Sequence, residues 1–535
     1  MIKKCIFVAK YGKLNKMNKL IDKLIEPFKR YGLFLMFLFF VSTITDILPL
    51  FSSFDYWHCI EVILSSFLLT YILVLFVTLF KNKSIRHLFL YFVFSCFLLY
   101  AVVNAYCYFF LDNTNIVDIA VIIANSNISE TKEYLSHAVS FPYLLTMVLV
   151  MCLLFVLTRK IISKQYLLSR LVGYGGLIVI IISSVITIKT PLNLVETSFG
   201  RILLSMKSLM DAPPELTEFL TCPQIQEMNR KHPENVVIII GESFAKHHSS
   251  LYGYEKNTNP LLGSLKNLFV FENITSTAVK TIDSFKSFMS TYSPQRHDAD
   301  MWYRMTTIPE VFHTAGYQTV WLSNQNRTGF YDNIPSKYSE LCQKSIFVNE
   351  EKGSLPYDGV LIDKVAQEIL SGEKKCFFIH LMGQHIAYNS RYPSSYQYFK
   401  TEDYSEFPEH QRTNRSYYDN ATLYNDYVVH SIIQQFMDTD AIIVYFSDHG
   451  QDIYDTDDNY CGHGRTSSES LSLAKQVPFM VYVSSEFSKN NQEIMKRISD
   501  SVNKEFSIDD VIYTLMDISG YYFMDNDDVN KFSLF

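Results

Sequence analysis

Two patterns of hydrophobic and polar positions divide the chain. Before about residue 190 the apolar residues come in long runs, at about 31–52, 58–80, 87–111, 139–158 and 167–188. Each is near the ~20 residues that a helix needs to cross a bilayer. From Glu234 onward the apolar runs are short, at 236–240, 319–322, 376–380, 441–446 and 479–483. They alternate with helical periodicity at 307–315, 358–370, 418–437 and 507–519. This alternation predicts an α/β domain with a mostly parallel central sheet. Between the two regions Phe199, Ile202, Leu203 and Met206 recur at helical spacing, and Pro213-Pro214 then breaks the helix. The expected organisation is a five-span transmembrane domain over 1–190, an interfacial linker over 191–230 and a soluble domain over 231–535.

Basic residues orient the spans. Residues 1–30 carry nine Lys and Arg, from Lys3 to Arg30, and read as a cytoplasmic segment on anionic lipid. Lys81, Lys83 and Arg86 lie between spans two and three; Arg159, Lys160, Lys164 and Arg170 lie between spans four and five. The other two loops carry only Lys132. The positive-inside rule places the N-terminus in the cytoplasm, so five spans put everything after Ile188 outside. The outer loop between spans three and four, through IVDIAVIIANSNISETKEYLSHA, reads as amphipathic helix at the membrane surface.

Composition narrows the chemistry. A net charge of −7 gives no reason to expect nucleic-acid binding. Nine cysteines include no C-x-x-C pair, so neither a thiolate zinc site nor a redox motif is signalled.

The candidate site gathers at strand ends. Val236 to Ile240 reads as a buried strand, and Glu242 follows just past its C-terminal end, where open α/β sheets place their sites. Asp448 and His449 follow Ala441 to Phe446 in the same way, with Gly450 for a tight turn. If the two strands are neighbours, two carboxylates and an imidazole converge, a set suited to Zn²⁺ or Mn²⁺. Loop histidines add candidates: His463 between two glycines, and His380 and His385. Thr275, Ser276 and Thr277 are either the polar turn before a helix or a hydroxyl aimed at the metal.

These segments together resemble membrane-bound phosphoethanolamine transferases, of the alkaline phosphatase and sulfatase superfamily. GESFAKHHSSLYGYEKNTNP, ITSTA, WLSNQNRTGF, HLMGQHIAY, NATLYND, YFSDHGQ and GHGR occur in that family's order, over about 234–520. The resemblance implies metal ligands at Glu242, Thr277, Asp448 and His449, with Thr277 as nucleophile and one or two zinc ions. It implies that His385 and His463 bind the phosphoryl group or a second zinc, and that one of the two, His463 for preference, protonates the leaving oxygen. Ser126, Asn127 and Glu130 look like a donor-headgroup run, and Arg327 falls near a phosphate-binding Lys. The implied donor is phosphatidylethanolamine and the acceptor an envelope lipid or glycan. The implied protein is a monomeric, multi-pass protein of the bacterial inner membrane with a periplasmic catalytic domain. The chain lacks the paired cysteines that lipid A-modifying members often carry around the nucleophile.

Three rival readings differ in class. A glycerol-phosphate transferase resembling lipoteichoic acid synthase would share fold, threonine and spans. A sulfatase would need Cys or Ser where Tyr292 stands in Tyr292-Ser293-Pro294-Gln295-Arg296. A non-catalytic membrane scaffold or sensor would not need the metal set.

Overall fold

The structure, a computed structural model, describes residues 2–52, 56–110, 141–164, 169–210, 223–299, 301–327, 334–349, 356–369, 373–456, 460–465, 468–524 and 531–535. They fall into two compact units, one of residues up to 210 and one of residues from 223.

The first unit is helical. α1 (Ile2–Ser52) runs 51 residues with a break in helical geometry at Tyr31, so the basic segment and the first apolar run form one kinked helix. α2 (Tyr56–Thr78), α3 (Lys83–Phe110), α4 (Phe141–Lys164) and α5 (Arg170–Lys189) follow. Among the described residues four helices are long and apolar enough to cross a membrane, and they lie in α2 to α5. The run expected at 31–52 lies within α1. Then come the short α6 (Asn193–Glu196) and α7 (Ser198–Met210), the helix that the spacing of Phe199 to Met206 predicts.

Some buried polar groups in this unit pair across helices. The Tyr100 hydroxyl donates to Asp46 Oδ1 at 2.6 Å, and the Ser198 N–H to Asp46 Oδ2 at 2.7 Å. Asp46 thereby joins α1, α3 and α7. The expected amphipathic loop, Ser126, Asn127, Glu130, Cys222 and Pro213-Pro214 lie outside the described residues.

The second unit is built on a seven-stranded sheet. In chain order its strands are β1 (Asn235–Gly241), β2 (Leu268–Val270), β3 (Gln318–Ser323), β4 (Lys344–Phe347), β5 (Lys375–His380), β6 (Ala441–Ser447) and β7 (Phe479–Val483). The spatial order is β2-β7-β6-β1-β5-β3-β4. β1, β3, β4, β5 and β6 pair in parallel, while β7 runs antiparallel to both β6 and β2, so the sheet is mixed.

β1 is central and all seven of its residues are buried. Val236, Ile238 and Ile240 enter one core, with Phe285, Phe288 and Leu515; Val237 and Ile239 enter the other, with Val428, Ile432 and Phe436. Helices therefore cover both faces, and a parallel strand covered on both faces reads as a continuous apolar run rather than an alternation. Each such fully buried side chain contributes about 1.5–3 kcal/mol relative to exposure. On the first face lies α8 (Thr281–Phe288), on the second the long α9 (Glu409–Phe436). Tyr292 also sits in the first core, 6% exposed.

Candidate metal centre

Register assembles the centre. β1 and β6 pair in parallel with Gly241 opposite Ser447, so Glu242 and Asp448 leave the sheet side by side. Glu242, Asp448 and His449 are each at most 1% exposed. His449 Nε2 lies 3.5 Å from Glu242 Oε1 and 3.3 Å from Asp448 Oδ2. One ligand atom from each of the three residues falls within a 4.8 Å group.

The surroundings fix each ligand. His449 Nδ1 is 2.9 Å from the Gly450 carbonyl, to which it donates, which leaves the Nε2 lone pair facing the carboxylates. Asp448 Oδ1 accepts from the Ser243 N–H at 3.1 Å and the His449 N–H at 2.7 Å. Asp448 Oδ2 is buried without a hydrogen bond. Glu242 Oε1 accepts from Ser243 Oγ at 2.7 Å, and Glu242 Oε2 from Gln325 Nε2 at 3.4 Å. Gln325 also donates to the Leu381 carbonyl at 3.0 Å. Ser243 itself is held at φ +57°, in the left-handed region that a residue with a Cβ enters only at a cost.

Two glycines are required by close approach. Gly383 has φ +52°, and a Cβ there would stand 2.7 Å from the Glu242 carbonyl oxygen. Gly450 is needed for a different reason from the expected turn. Its Cβ would stand 2.6 Å from the Gln476 carbonyl and 2.8 Å from that of Leu473, while its N–H donates to Ala474 at 2.7 Å.

Charge is poorly solvated here. Burial first, then the Asp448 charge, pushes Glu242 up to about 8. Burial pushes Asp448 up to about 6. Burial lowers the His449 pKa. Two carboxylates this close hold their charge readily only with a cation between them. The orphaned Asp448 Oδ2 and the free Nε2 of His449 are the atoms such a cation would use. Two carboxylate oxygens and one imidazole nitrogen fit a zinc ion with a fourth position open.

The threonine beside Glu242 and His449 is Thr281, not Thr277. Thr281 Oγ1 lies 3.3 Å from Glu242 Oε2, 3.5 Å from Glu242 Oε1 and 3.5 Å from His449 Nε2. Thr281 is the first residue of α8, so the helix N-terminus points its unpaired N–H groups toward the same place. Thr277 Oγ1 instead donates to Asp509 Oδ2 at 2.6 Å. The Thr275–Thr277 segment is committed elsewhere by pairing: Asn273–Thr275 runs parallel to Glu505–Ser507, and the Ser276 N–H donates to the Lys475 carbonyl. The helix begins four residues beyond the position that the Thr-Ser-Thr-Ala string suggests. A signal was present in the sequence, since Ile282, Phe285 and Phe288 start an apolar stripe at Thr281. Gln325 and Ser243 were equally missed, and nothing but tertiary contact marks them.

The loop histidines separate. The His463 ring lies 4.1 Å from that of His449, centroid to centroid. Its Nδ1 donates to the Val279 carbonyl, two residues before Thr281, leaving Nε2 as acceptor. Burial, then the neighbouring His449, pushes the His463 pKa well below its ordinary value. A ring held neutral with its one proton engaged is not placed to donate, contrary to the expected protonation of a leaving oxygen. His385 is pushed down to about 3 by burial, with Arg391 and His449 acting in the same direction, and its Nδ1 is buried without a hydrogen bond. His380 is a core residue against Phe285 and Trp321. Arg327 lies over the Phe347 ring at 4.7 Å and reaches Ser345 Oγ at 3.4 Å, both on the edge strand β4.

A family model described as sulfatase matches residues 234–521, more than half of the chain. The chain belongs to the sulfatase family. Phosphoethanolamine transferase EptC of Escherichia coli O18:K1:H7 is 29% identical over 323 residues, 58% of this chain and 54% of that protein. The chain thus spans about half the length of the curated relatives it matches. The C-terminal periplasmic domain of EptC from Escherichia coli, in complex with Zn, superposes with TM-score 0.53 at 25% identity, over 60% of this chain and 90% of that one. The integral membrane phosphoethanolamine transferase EptA from Neisseria meningitidis matches 91% of this chain and 95% of its own with TM-score 0.66. At 16% identity it establishes the shared fold, helical membrane region included.

Proposed function

We propose that this sulfatase-family chain transfers phosphoethanolamine from phosphatidylethanolamine to an envelope lipid or glycan, with Thr281 as covalent carrier. The observation that carries the reading is the Thr281 hydroxyl at a helix N-terminus, within 3.5 Å of both Glu242 and His449. The phosphoethanolamine transferases among its relatives support the choice of group.

Glu242, Asp448 and His449 would hold the zinc, with Thr281 Oγ1 beside them. A zinc ion bound there supplies positive charge that lowers the hydroxyl pKa and balances charge developing on phosphoryl oxygens. Thr281 Oγ attacks phosphorus, and the bond from phosphorus to the diacylglycerol oxygen breaks. The hydroxyl proton passes to Glu242 Oε2, 3.3 Å away, and the departing diacylglycerol oxygen takes a proton from solvent. In the second half the acceptor oxygen attacks the phosphothreonine with its hydroxyl oriented by His463 Nε2 and loses its proton to solvent, and the proton on Glu242 returns to the departing Thr281 oxygen. His385 contributes a buried ring nitrogen without a hydrogen bond.

The first unit gives this chemistry its place. Donor and leaving group are both lipids, so α2 to α5 anchor the second unit at a bilayer, which we assign to the bacterial inner membrane. The loop asymmetry of Lys and Arg puts the second unit on the periplasmic face. Domain limits of 1–190, 191–230 and 231–535 go with this reading.

The test is incubation of the detergent-solubilised full chain with phosphatidylethanolamine, followed by peptide mass spectrometry. A phosphoethanolamine adduct on Thr281 with diacylglycerol released is expected. A glycerol-phosphate adduct from phosphatidylglycerol would instead favour the lipoteichoic acid synthase-like reaction. Absence of any adduct with turnover intact would remove the two-step mechanism. Mass spectrometry of envelope lipids and glycans with and without the chain identifies the acceptor.

A further inference from the structure

A second group of ligand-type side chains lies beyond the catalytic one, formed by His247, His248 and Asp455. His247 and His248 follow one another in the single 3₁₀ turn Lys246–His248. His247 Nε2 lies 2.7 Å from Asp455 Oδ2, and His248 Nε2 lies 3.5 Å from the same oxygen. Around a tetrahedral zinc, ligand atoms at about 2.0–2.1 Å stand roughly 3.3 Å apart. The two distances to Asp455 bracket that spacing, and all three ligand atoms lie within 4.8 Å of one another.

Two further observations point to a ligand. His248 Nε2, the nitrogen that faces Asp455, is buried without a hydrogen bond, and His248 is 0% exposed. The other nitrogen of His248 is oriented as in metal sites: Nδ1 lies 2.8 Å from Asp419 Oδ1, the carboxylate–histidine arrangement that fixes the tautomer and raises ligand basicity. Asp419 is itself held, because the Tyr254 and Tyr404 hydroxyls both donate to its Oδ2. Asp455 presents one oxygen only, since Arg415 Nη2 occupies Oδ1 at 3.0 Å. Entry is open, because the His247 and Asp455 side chains are 25% and 22% exposed.

We propose that His247, His248 and Asp455 bind a second divalent cation, zinc by ligand type, separate from the Glu242 centre and from His385 and His463. Two imidazoles and a carboxylate suit zinc among the common divalent ions. Its place gives it a structural task. His248 comes six residues after Glu242, and Asp455 six residues after His449. One ion there ties together the two loops that leave β1 and β6 carrying the catalytic ligands. The proposal does not rest on the transferase reading. The rival occupant is a proton: burial lowers the His248 pKa, but Asp419 and Asp455 overcome it and hold the ring at about 9 as a buried imidazolium.

Zinc stoichiometry separates the two. The full chain in detergent is stripped with EDTA, dialysed against buffered zinc and counted by mass spectrometry of the metal. His247→Ala and Asp455→Asn should each hold one zinc fewer per chain than the wild type, with Asp448→Asn losing a different one. Folding is checked by circular dichroism. Should His247→Ala not fold, Asp455→Asn, which keeps the side-chain shape, gives the count. Cobalt is an independent probe. The Asp448→Asn chain should retain a visible cobalt absorption band that disappears on adding His247→Ala. Folded His247→Ala or Asp455→Asn with an undiminished zinc count, or a cobalt band indifferent to His247, overturns the proposal in favour of the imidazolium.

Discussion

Gly241 and Ser447 stand opposite each other in the parallel pairing of β1 and β6. That single register sets Glu242 beside Asp448, one residue past each strand. Two carboxylates held so close in a buried place, with His449 Nε2 within 3.5 Å of both, form a candidate metal site. Removal of a ligand should therefore remove metal before it removes the fold. Asp448→Ala and Glu242→Ala, purified from membranes, should each lose this zinc and lower turnover by on the order of 10³-fold or more. Full zinc with full turnover in either variant would end the assignment.

The identity of the nucleophile is decided by comparing two threonines four residues apart. Thr281→Ala should abolish both the phosphoethanolamine adduct and diacylglycerol release. Thr281→Ser keeps the oxygen but loses the methyl group that restricts χ1, and should retain part of the activity. Thr277→Ala removes only the hydrogen bond to Asp509 and should leave turnover within about tenfold, because a hydrogen bond to a charged group contributes about 1.5–3 kcal/mol to stability, not to chemistry. An adduct mapped to Thr277 would reverse the assignment.

Stability should depend on pH in a direction set by Glu242. Its carboxyl is raised from the ordinary 4.5 to about 8, mainly by burial. The folded chain then holds a proton that the unfolded chain releases, so stability falls as pH rises from about 4.5 through about 8. EDTA-treated chain should melt several degrees lower at pH 8 than at pH 5, at about 2–4 °C per kcal/mol. Zinc-loaded chain should lose this dependence, and EDTA-treated Glu242→Gln should show a smaller one, because Asp448, raised to about 6, acts in the same direction. An EDTA-treated wild type that melts higher at pH 8 would contradict the sign.

Gln325 acts through Glu242. Its amide holds Glu242 Oε2 and is itself held by the Leu381 carbonyl. Gln325→Leu should weaken zinc binding by about 10–100-fold, as is typical when an outer partner of a ligand is lost. Turnover at saturating zinc should be largely restored. Unchanged zinc affinity would show that the amide does not position the ligand.

Orientation in the membrane follows from the loop charges. A periplasm-dependent phosphatase reporter fused after Lys189 should be active, and one fused after Lys83 inactive. The reverse pattern would rule out a periplasmic donor site.

Much of this was legible in the residues. The five core strands could be read from short, β-branched runs, because strands buried on both faces cannot alternate. Glu242, Asp448 and His449 could be read as one set, because each follows such a run immediately. The long helix α9 was read short, starting near 418 instead of Glu409, because its first turns are polar and carry little apolar period.

What the chain alone determined, then, was which residues end the buried strands and where the apolar helices lie, since both follow from local burial patterns. Only the tertiary structure decided which hydroxyl meets Glu242 and His449. Thr275 to Thr277 are drawn into pairing with Glu505–Ser507 and Lys475, partners some two hundred residues distant. Thr281 takes the place at the centre because α8 starts there. The same holds for Gln325, for Gly450 against the carbonyls of 473–476, and for His248 between Asp419 and Asp455. Each of these contacts joins segments that are distant in sequence, and no local pattern records them.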